Sequence, residues 1–181
     1  VDETTRLNNI VMEFLDFARP QEPKPGKDDV NDVVRQALRF IEPNAREQNV
    51  ELRAELDENL PSIDLDQEMF YRALLNILVN GLQAMDGEGV LQVTTTGGEI
   101  DGPAMVDDGS PAGPMTGAVK IMIRDTGKGM SAEKAEQIFE PFFSDKNRGT
   151  GLGLAITRNI IEQHHGTIRV DSKEGEGTVF T

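Results

Sequence analysis

Residues 66 to 96 read DQEMFYRALLNILVNGLQAMDGEGVLQVTTT, and the period of their apolar side chains changes midway. Met69, Phe70, Ala73, Leu74, Ile77 and Leu78 recur at helical spacing, which predicts a helix over about 66 to 85 with one buried stripe. From Val90 onward VLQVTTT predicts a strand. A second strand signal, AVKIMIRD, ends at Asp125, and the intervening 97 to 117, rich in Gly and Pro, reads as a mobile hairpin loop. Upstream, VELRAEL (50 to 56) alternates like a half-buried strand. Before it, Val30, Val33, Val34, Ala37, Leu38 and Ile41 line one face of a helix that Asp28 or Asp29 can cap. Downstream come a short helix near 131 to 138, a longer one over about 152 to 165, and two strands, TIRVDS and GTVFT. Helices and strands alternate in short blocks with adjacent strand pairs, which predicts an α/β two-layer sandwich, a mixed β-sheet packed on helices.

The first residues stand apart. Leu7, Ile10, Val11, Phe14 and Leu15 make an amphipathic helix of residues 2 to 19, Pro20 ends it, and QEPKPG follows as a Pro- and Gly-rich linker. The expected organisation is therefore 1–20 a leading helix, 21–27 a linker and 28–181 the main domain. Both ends read as cuts within a longer protein.

Composition narrows the chemistry. The chain has 181 residues and no Cys, which removes disulfides, thiolate metal sites and a Cys nucleophile, and is compatible with a reducing cytoplasm. A formal charge of -14 repels phosphate backbones, so no nucleic-acid partner is expected. No apolar run approaches the roughly 20 residues that span a bilayer.

Three short motifs carry possible chemistry. Asp125-Thr-Gly127-Lys-Gly129 follows a strand directly, and reads either as a plain turn or as a carboxylate with two close backbone approaches beside a bulky partner such as adenine. Gly149-Thr150-Gly151-Leu152-Gly153 opens a helix, where free N–H groups and the dipole favour phosphate; its spacing fits neither a dinucleotide fingerprint nor a P-loop. Asn76 and Asn80 share one face of the 66 to 85 helix in an apolar context, either satisfied within the protein or, for Asn80, offering an amide oxygen to a nucleotide-bound Mg²⁺. The only two histidines, His164 and His165, sit at a helix end and read as cations favoured by a helix C-terminus.

Taken in order, Asn76-x-x-x-Asn80, Asp125-x-Gly127-x-Gly129, Phe139-Glu-Pro-Phe142-Phe143 and Gly149-x-Gly151-x-Gly153 resemble the N, G1, F and G2 boxes of sensor histidine kinase catalytic domains. Gly175-x-Gly177-Thr178 resembles the last glycine box, and RLNNIVMEFLDFARP resembles the second helix of that family's dimerisation and phosphotransfer hairpin. FLDFARP and FEPFFSDK are most similar to nitrogen-regulation-type members. The resemblance implies a histidine-kinase-like ATPase fold preceded by one helix of a helical hairpin. It also implies a cytoplasmic ATP- and Mg²⁺-dependent protein histidine kinase that acts as a homodimer through the hairpin and relays phosphate to a response regulator receiver domain.

By the same resemblance, Asp125 and Thr178 belong to the nucleotide site, with Asp125 accepting from the adenine amino group, and Gly127 and Gly129 admit the base. Asn80 would bind Mg²⁺, and Gly149, Thr150, Gly151, Leu152 and Gly153 would lie near the phosphates. Asn76 and Lys146 are the candidate catalytic residues, Lys146 meeting the γ-phosphate from an ATP lid over 130 to 149. Where many members carry Lys, three residues past Asn80, this chain has Gln83, which shifts phosphate contacts toward Lys146 and Arg148.

Three other readings compete. Related ATPases of the same fold place a Glu four residues before the metal-binding Asn, where this chain has Asn76, an amide without a basic lone pair. A serine-kinase anti-sigma factor leaves the leading helix unexplained. A degenerate nucleotide-binding module would keep the fold without catalysis.

Overall fold

The computed structural model describes residues 22–85, 87–100, 115–144 and 150–181. The expected leading helix, most of the tip of the long hairpin and the centre of the expected lid lie outside these residues.

Five strands form one mixed sheet in the order β2-β4-β5-β7-β6: β2 (Val50–Leu56), β4 (Gly89–Ile100), β5 (Met115–Asp125), β7 (Gly177–Phe180) and β6 (Val170–Lys173). Only β2 and β4 run parallel, and the connection between them carries the helix α2 (Gln67–Ala84). Alternate residues of the central strands, Leu91, Val93 and Thr95 on β4 and Ile123 on β5, are buried. Leu91, Val93 and Ile123 share one core with Val30, Val33, Val34, Ala37 and Ile41 of α1 (Val30–Glu47) and with Phe70, Leu74, Ile77 and Leu78 of α2. The predicted stripes are the buried ones, because a helix half-covered by a sheet can bury only about one side.

Asp29 caps α1 by accepting from the Asn31 N–H (2.8 Å) and Asp66 caps α2 by accepting from Met69 (3.0 Å), so each helix starts where an aspartate satisfies an orphan amide. Ser131 does the same for α3 (Ala132–Gln137). The last helix, α4 (Gly153–Gln163), differs: the residue at its N-cap is Leu152, which has no side-chain acceptor.

Several elements depart from expectation. The stretch at 97 to 117 is not all loop, since β4 reaches Ile100 and β5 begins at Met115, with a register irregularity between Gly98 and Ile100. Antiparallel pairing satisfies the backbone whatever the side chains, so apolar periodicity was the wrong signal there. The last strand pair starts later than Thr167, with β6 at Val170, although Arg169 and Thr181 exchange both backbone bonds ahead of it. Two three-residue strands went unpredicted, β1 (Gly26–Asp28) and β3 (Ile63–Leu65), which pair antiparallel as a separate small sheet. Part of the expected linker is thus built onto the domain, and the Lys24 N–H also donates to Asp66 Oδ2 (2.8 Å).

His164, expected only as a cation at a helix C-terminus, is also tied into the fold. Its Nδ1 lies 2.7 Å from the Ile160 carbonyl and its Nε2 accepts the Asp66 N–H at 2.9 Å, so the ring bridges the end of α4 to the start of α2. Burial works to raise the Asp66 carboxyl, but N–H groups of Lys24, Met69 and Glu68, together with His164, outweigh it and hold it below its ordinary value. After His164 the chain turns through His165 (φ 57°), and Gly166 donates back to Ile161 (2.9 Å), closing the helix end with a left-handed residue.

Candidate functional site

The site residues gather along one side of α2. Asp125 ends β5 and is 3% exposed. Its Oδ1 accepts from the Gly127 N–H (2.9 Å), and the Thr178 N–H also bonds the carboxylate. Burial pushes the Asp125 carboxyl above its ordinary value, against those two N–H bonds. Across from it stands Gly81 of α2, where a Cβ would meet Leu91 at 2.9 Å and come within 3.9 Å of Asp125 Oδ2. Gly81 directly follows Asn80 in α2.

The loop after Asp125 is clamped from two sides. The Lys128 N–H donates to the Ala84 carbonyl at the end of α2 (3.0 Å), and the Lys128 carbonyl accepts from Gly175 (2.7 Å) in the β6–β7 turn. Met130 N–H donates to Ser172 Oγ (2.9 Å), whose hydroxyl also lies 3.0 Å from both the Gly177 carbonyl and Thr178 Oγ1. Gly129, at φ 62°, packs so closely on the Lys173 carbonyl that a Cβ would overlap it. Gly127 meets the Ala84 carbonyl in the same way, at 2.6 Å. These two glycines therefore have reasons inside the protein, in addition to any room they leave for a base.

One turn before Asn80, near the middle of α2, Asn76 Nδ2 donates to Thr157 Oγ1 on α4 (2.9 Å), and Asn76 Oδ1 takes a long contact of 3.5 Å from Asn80 Nδ2. The Gly151 carbonyl accepts from the Phe142 N–H (3.0 Å), so the two sides of the expected lid close on each other at its base. Phe142 itself is left-handed (φ 68°) and 63% exposed, while Phe139 packs edge-on to Phe180 with centroids 6.4 Å apart. Thr150 Oγ1 accepts from Leu152, which is buried just ahead of α4. Lys146 and Gly149 lie outside the described residues.

The arrangement offers a buried carboxylate, a helix whose first N–H groups are not capped by its own N-cap side chain, and a neighbouring amide. Those donors and acceptors suit a purine and its phosphates. Among the described residues no group of three or more His, Cys, Asp or Glu is gathered to hold a metal. A hard cation here would depend on phosphate oxygens plus one amide oxygen, which is how Mg²⁺ is commonly carried with nucleotides.

Sequence reasoning missed Gly81, Thr157 and Ser172. Gly81 adjoins a singled-out residue, and Thr157 is a hydroxyl on an otherwise apolar buried stripe; both were legible signals. Ser172 had none, because its partners come from two other segments, the loop after β5 and the start of β7.

Residues 65–181 match the family described as histidine kinase-, DNA gyrase B- and HSP90-like ATPases. The chain belongs to this family. Within it the likeness is to sensor histidine kinases. The chain is 37% identical over 179 residues to the sensor histidine kinase ZraS of Escherichia coli K12, covering 99% of this chain and 35% of that protein. It thus spans about a third of the length of that relative. Full-length ShkA in complex with AMPPNP superimposes with a TM-score of 0.79 at 26% identity, covering 98% of this chain and 35% of that one. Histidine kinase ThkA in complex with response regulator protein TrrA gives 0.72 at 26% identity, covering 98% and 46%. As a member of this family the chain carries the ATP-binding catalytic domain of the sensor-kinase type. Among the described residues no helix is long and apolar enough to cross a membrane.

Proposed function

We propose that this domain binds Mg-ATP and transfers the γ-phosphoryl group to a His on a helical hairpin, for relay to an Asp of a response regulator receiver domain. In this reading residues 1–20 are the second helix of the hairpin, 21–27 the linker and 28–181 the catalytic unit. The parent protein is a homodimer through the hairpin, with this domain in the cytoplasm. The similarity to ZraS and the solved ThkA complex with TrrA support the phosphorelay, and FLDFARP with FEPFFSDK favours the nitrogen-regulation type.

The carrying observation is that α2 packs on both sides of the expected site: Gly81 lies against Asp125, and Asn76, 3.5 Å from Asn80, lies against Gly153 at the phosphate-ready N-terminus of α4. Asp125 accepts from the adenine amino group. Asn80 offers its amide oxygen to Mg²⁺, and the α4 N-terminus with Thr150 and Gly151 receives phosphate. Bound Mg²⁺ supplies neutralisation of phosphate charge. Lys146 orients the γ-phosphate. Asn76 has no acid–base capacity, so water activation of the kind used by the related ATPases has no residue here, and transfer to a positioned nucleophile is favoured.

His164 is no acceptor for that phosphate. Its Nε2 is held by Asp66, at the far end of a helix of 11 residues, about 16 Å long at 1.5 Å per residue. With radiolabelled ATP the chain is expected to leave itself unlabelled and to label a separately supplied hairpin that carries the His. Acid-labile phosphate on His164 or His165, or no labelling of the hairpin at any concentration, refutes the reading.

A further inference from the structure

Asn76 lies in a notch on α4. A Cβ built on Gly153 would meet Asn76 Oδ1 at 2.5 Å and Nδ2 at 3.0 Å, so the amide occupies the space that any other residue at 153 would fill. One turn further along α4, Thr157 is 1% exposed and its Oγ1 accepts the Asn76 amide N–H at 2.9 Å. Gly153 and Thr157 are four apart and hence on one helix face, so floor and anchor of the notch come from the same helix.

With its NH₂ committed to Thr157, Asn76 presents Oδ1 to Asn80, whose own NH₂ faces it at 3.5 Å. An amide has one acceptor oxygen, and turning the NH₂ of Asn80 toward Asn76 turns its oxygen away from Asn76. The strong link in this chain is the Thr157 bond. The Asn80 contact is long and depends on Asn76 being held still.

We propose that Thr157 is a positioning residue for the nucleotide site: through Asn76 it fixes which way the Asn80 amide points, and so couples the phosphate-side helix α4 to the Mg²⁺-facing oxygen on α2. This rests on the assignment of Asn80 made under the proposed function. It also gives Asn76 a role as the coupling piece between two helices, in place of one at the reacting atoms. Gly153 is then required by Asn76 as well as by any phosphate.

The test compares Thr157→Val, which keeps shape and loses the acceptor, with Thr157→Ser, which keeps the hydroxyl. ATP affinity is titrated calorimetrically with Mg²⁺ and again in EDTA, and the side-chain amide resonances of Asn76 and Asn80 are followed in the nucleotide-free protein. Thr157→Val is expected to shift both amide resonances and to reduce the gain in affinity from Mg²⁺ roughly tenfold, the scale seen when outer partners of metal ligands are removed. Affinity in EDTA stays unchanged, and Thr157→Ser restores the gain. A purely structural threonine would lower the unfolding temperature in Thr157→Val and leave the Mg²⁺ gain intact, which overturns the proposal. If Thr157→Val does not fold, Thr157→Ala against Thr157→Ser makes the same comparison. Asn80→Ala separates the two levels: loss of the Mg²⁺ gain there but not in Thr157→Val overturns only the positioning role. Retention of the gain in Asn80→Ala overturns the site assignment itself and the proposal with it.

Discussion

Replacing Asp125 by Asn is expected to weaken nucleotide binding and to make stability less dependent on pH. The carboxylate is 3% exposed, and burial raises it from the ordinary value of 3.8 despite N–H bonds from Gly127 and Thr178. Between the ordinary and the raised value the folded protein binds more protons than the unfolded chain, so stability falls as pH rises through that window. The contribution is complete below about pH 4 and has been lost once the pH exceeds the raised value. Asn is nearly isosteric and carries no charge, so it escapes this loss, but its single oxygen replaces two acceptors facing two N–H donors. One weakened hydrogen bond costs about 1 kcal/mol.

The stability of Asp125→Asn relative to wild type should therefore improve on going from pH 4 to pH 7, and at neutral pH the two should lie within about 1 kcal/mol of each other, some 2–4 °C in unfolding temperature. Mg-ATP affinity should meanwhile fall by about 1–3 kcal/mol, the penalty of an unsatisfied polar partner. Thermal unfolding of both proteins across that pH range reads the first effect, and the other carboxylates cancel in the difference. Calorimetric titration reads the second. A variant less stable by the same margin at every pH refutes the buried-charge argument, and unchanged ATP affinity removes Asp125 from the base site.

Three further substitutions have expected outcomes. Gly129→Ala must place a Cβ on the Lys173 carbonyl from a left-handed backbone, and should cost more than about 2 kcal/mol of unfolding free energy by urea titration. Asp66→Ala removes the α2 cap and the acceptor for Lys24, with an expected loss of about 1–2 kcal/mol. Because the folded carboxyl is held below 3.8, that stabilisation is present above the ordinary value and is lost as pH falls through the lower one, so the gap to wild type should close in acid. Lys146→Ala should slow phosphoryl transfer to a supplied hairpin while changing ATP affinity much less; equal rates would dismiss Lys146.

What the sequence alone determined follows local rules. The stripes of α1 and α2, their aspartate caps and the strand ending at Asp125 are set by residues near in the chain, where helical period, alternation and capping act. The order of the four boxes was equally legible, since each is contiguous. Only the tertiary structure decided what those residues touch. The glycines at 127 and 129 read as room for a base and Gly153 as part of a phosphate turn, yet each also faces protein: the Ala84 carbonyl, the Lys173 carbonyl and the Asn76 amide. His164 read only as a helix-end side chain and is bonded to Asp66, 98 residues away in the chain. The strands β1 and β3 exist because they pair with each other, and three residues of Gly, Lys and Asp carry no period to announce it. Thr157 and Ser172 gain their roles from partners on other elements, and hydrogen bonds between distant segments leave no periodic trace along the chain that makes them.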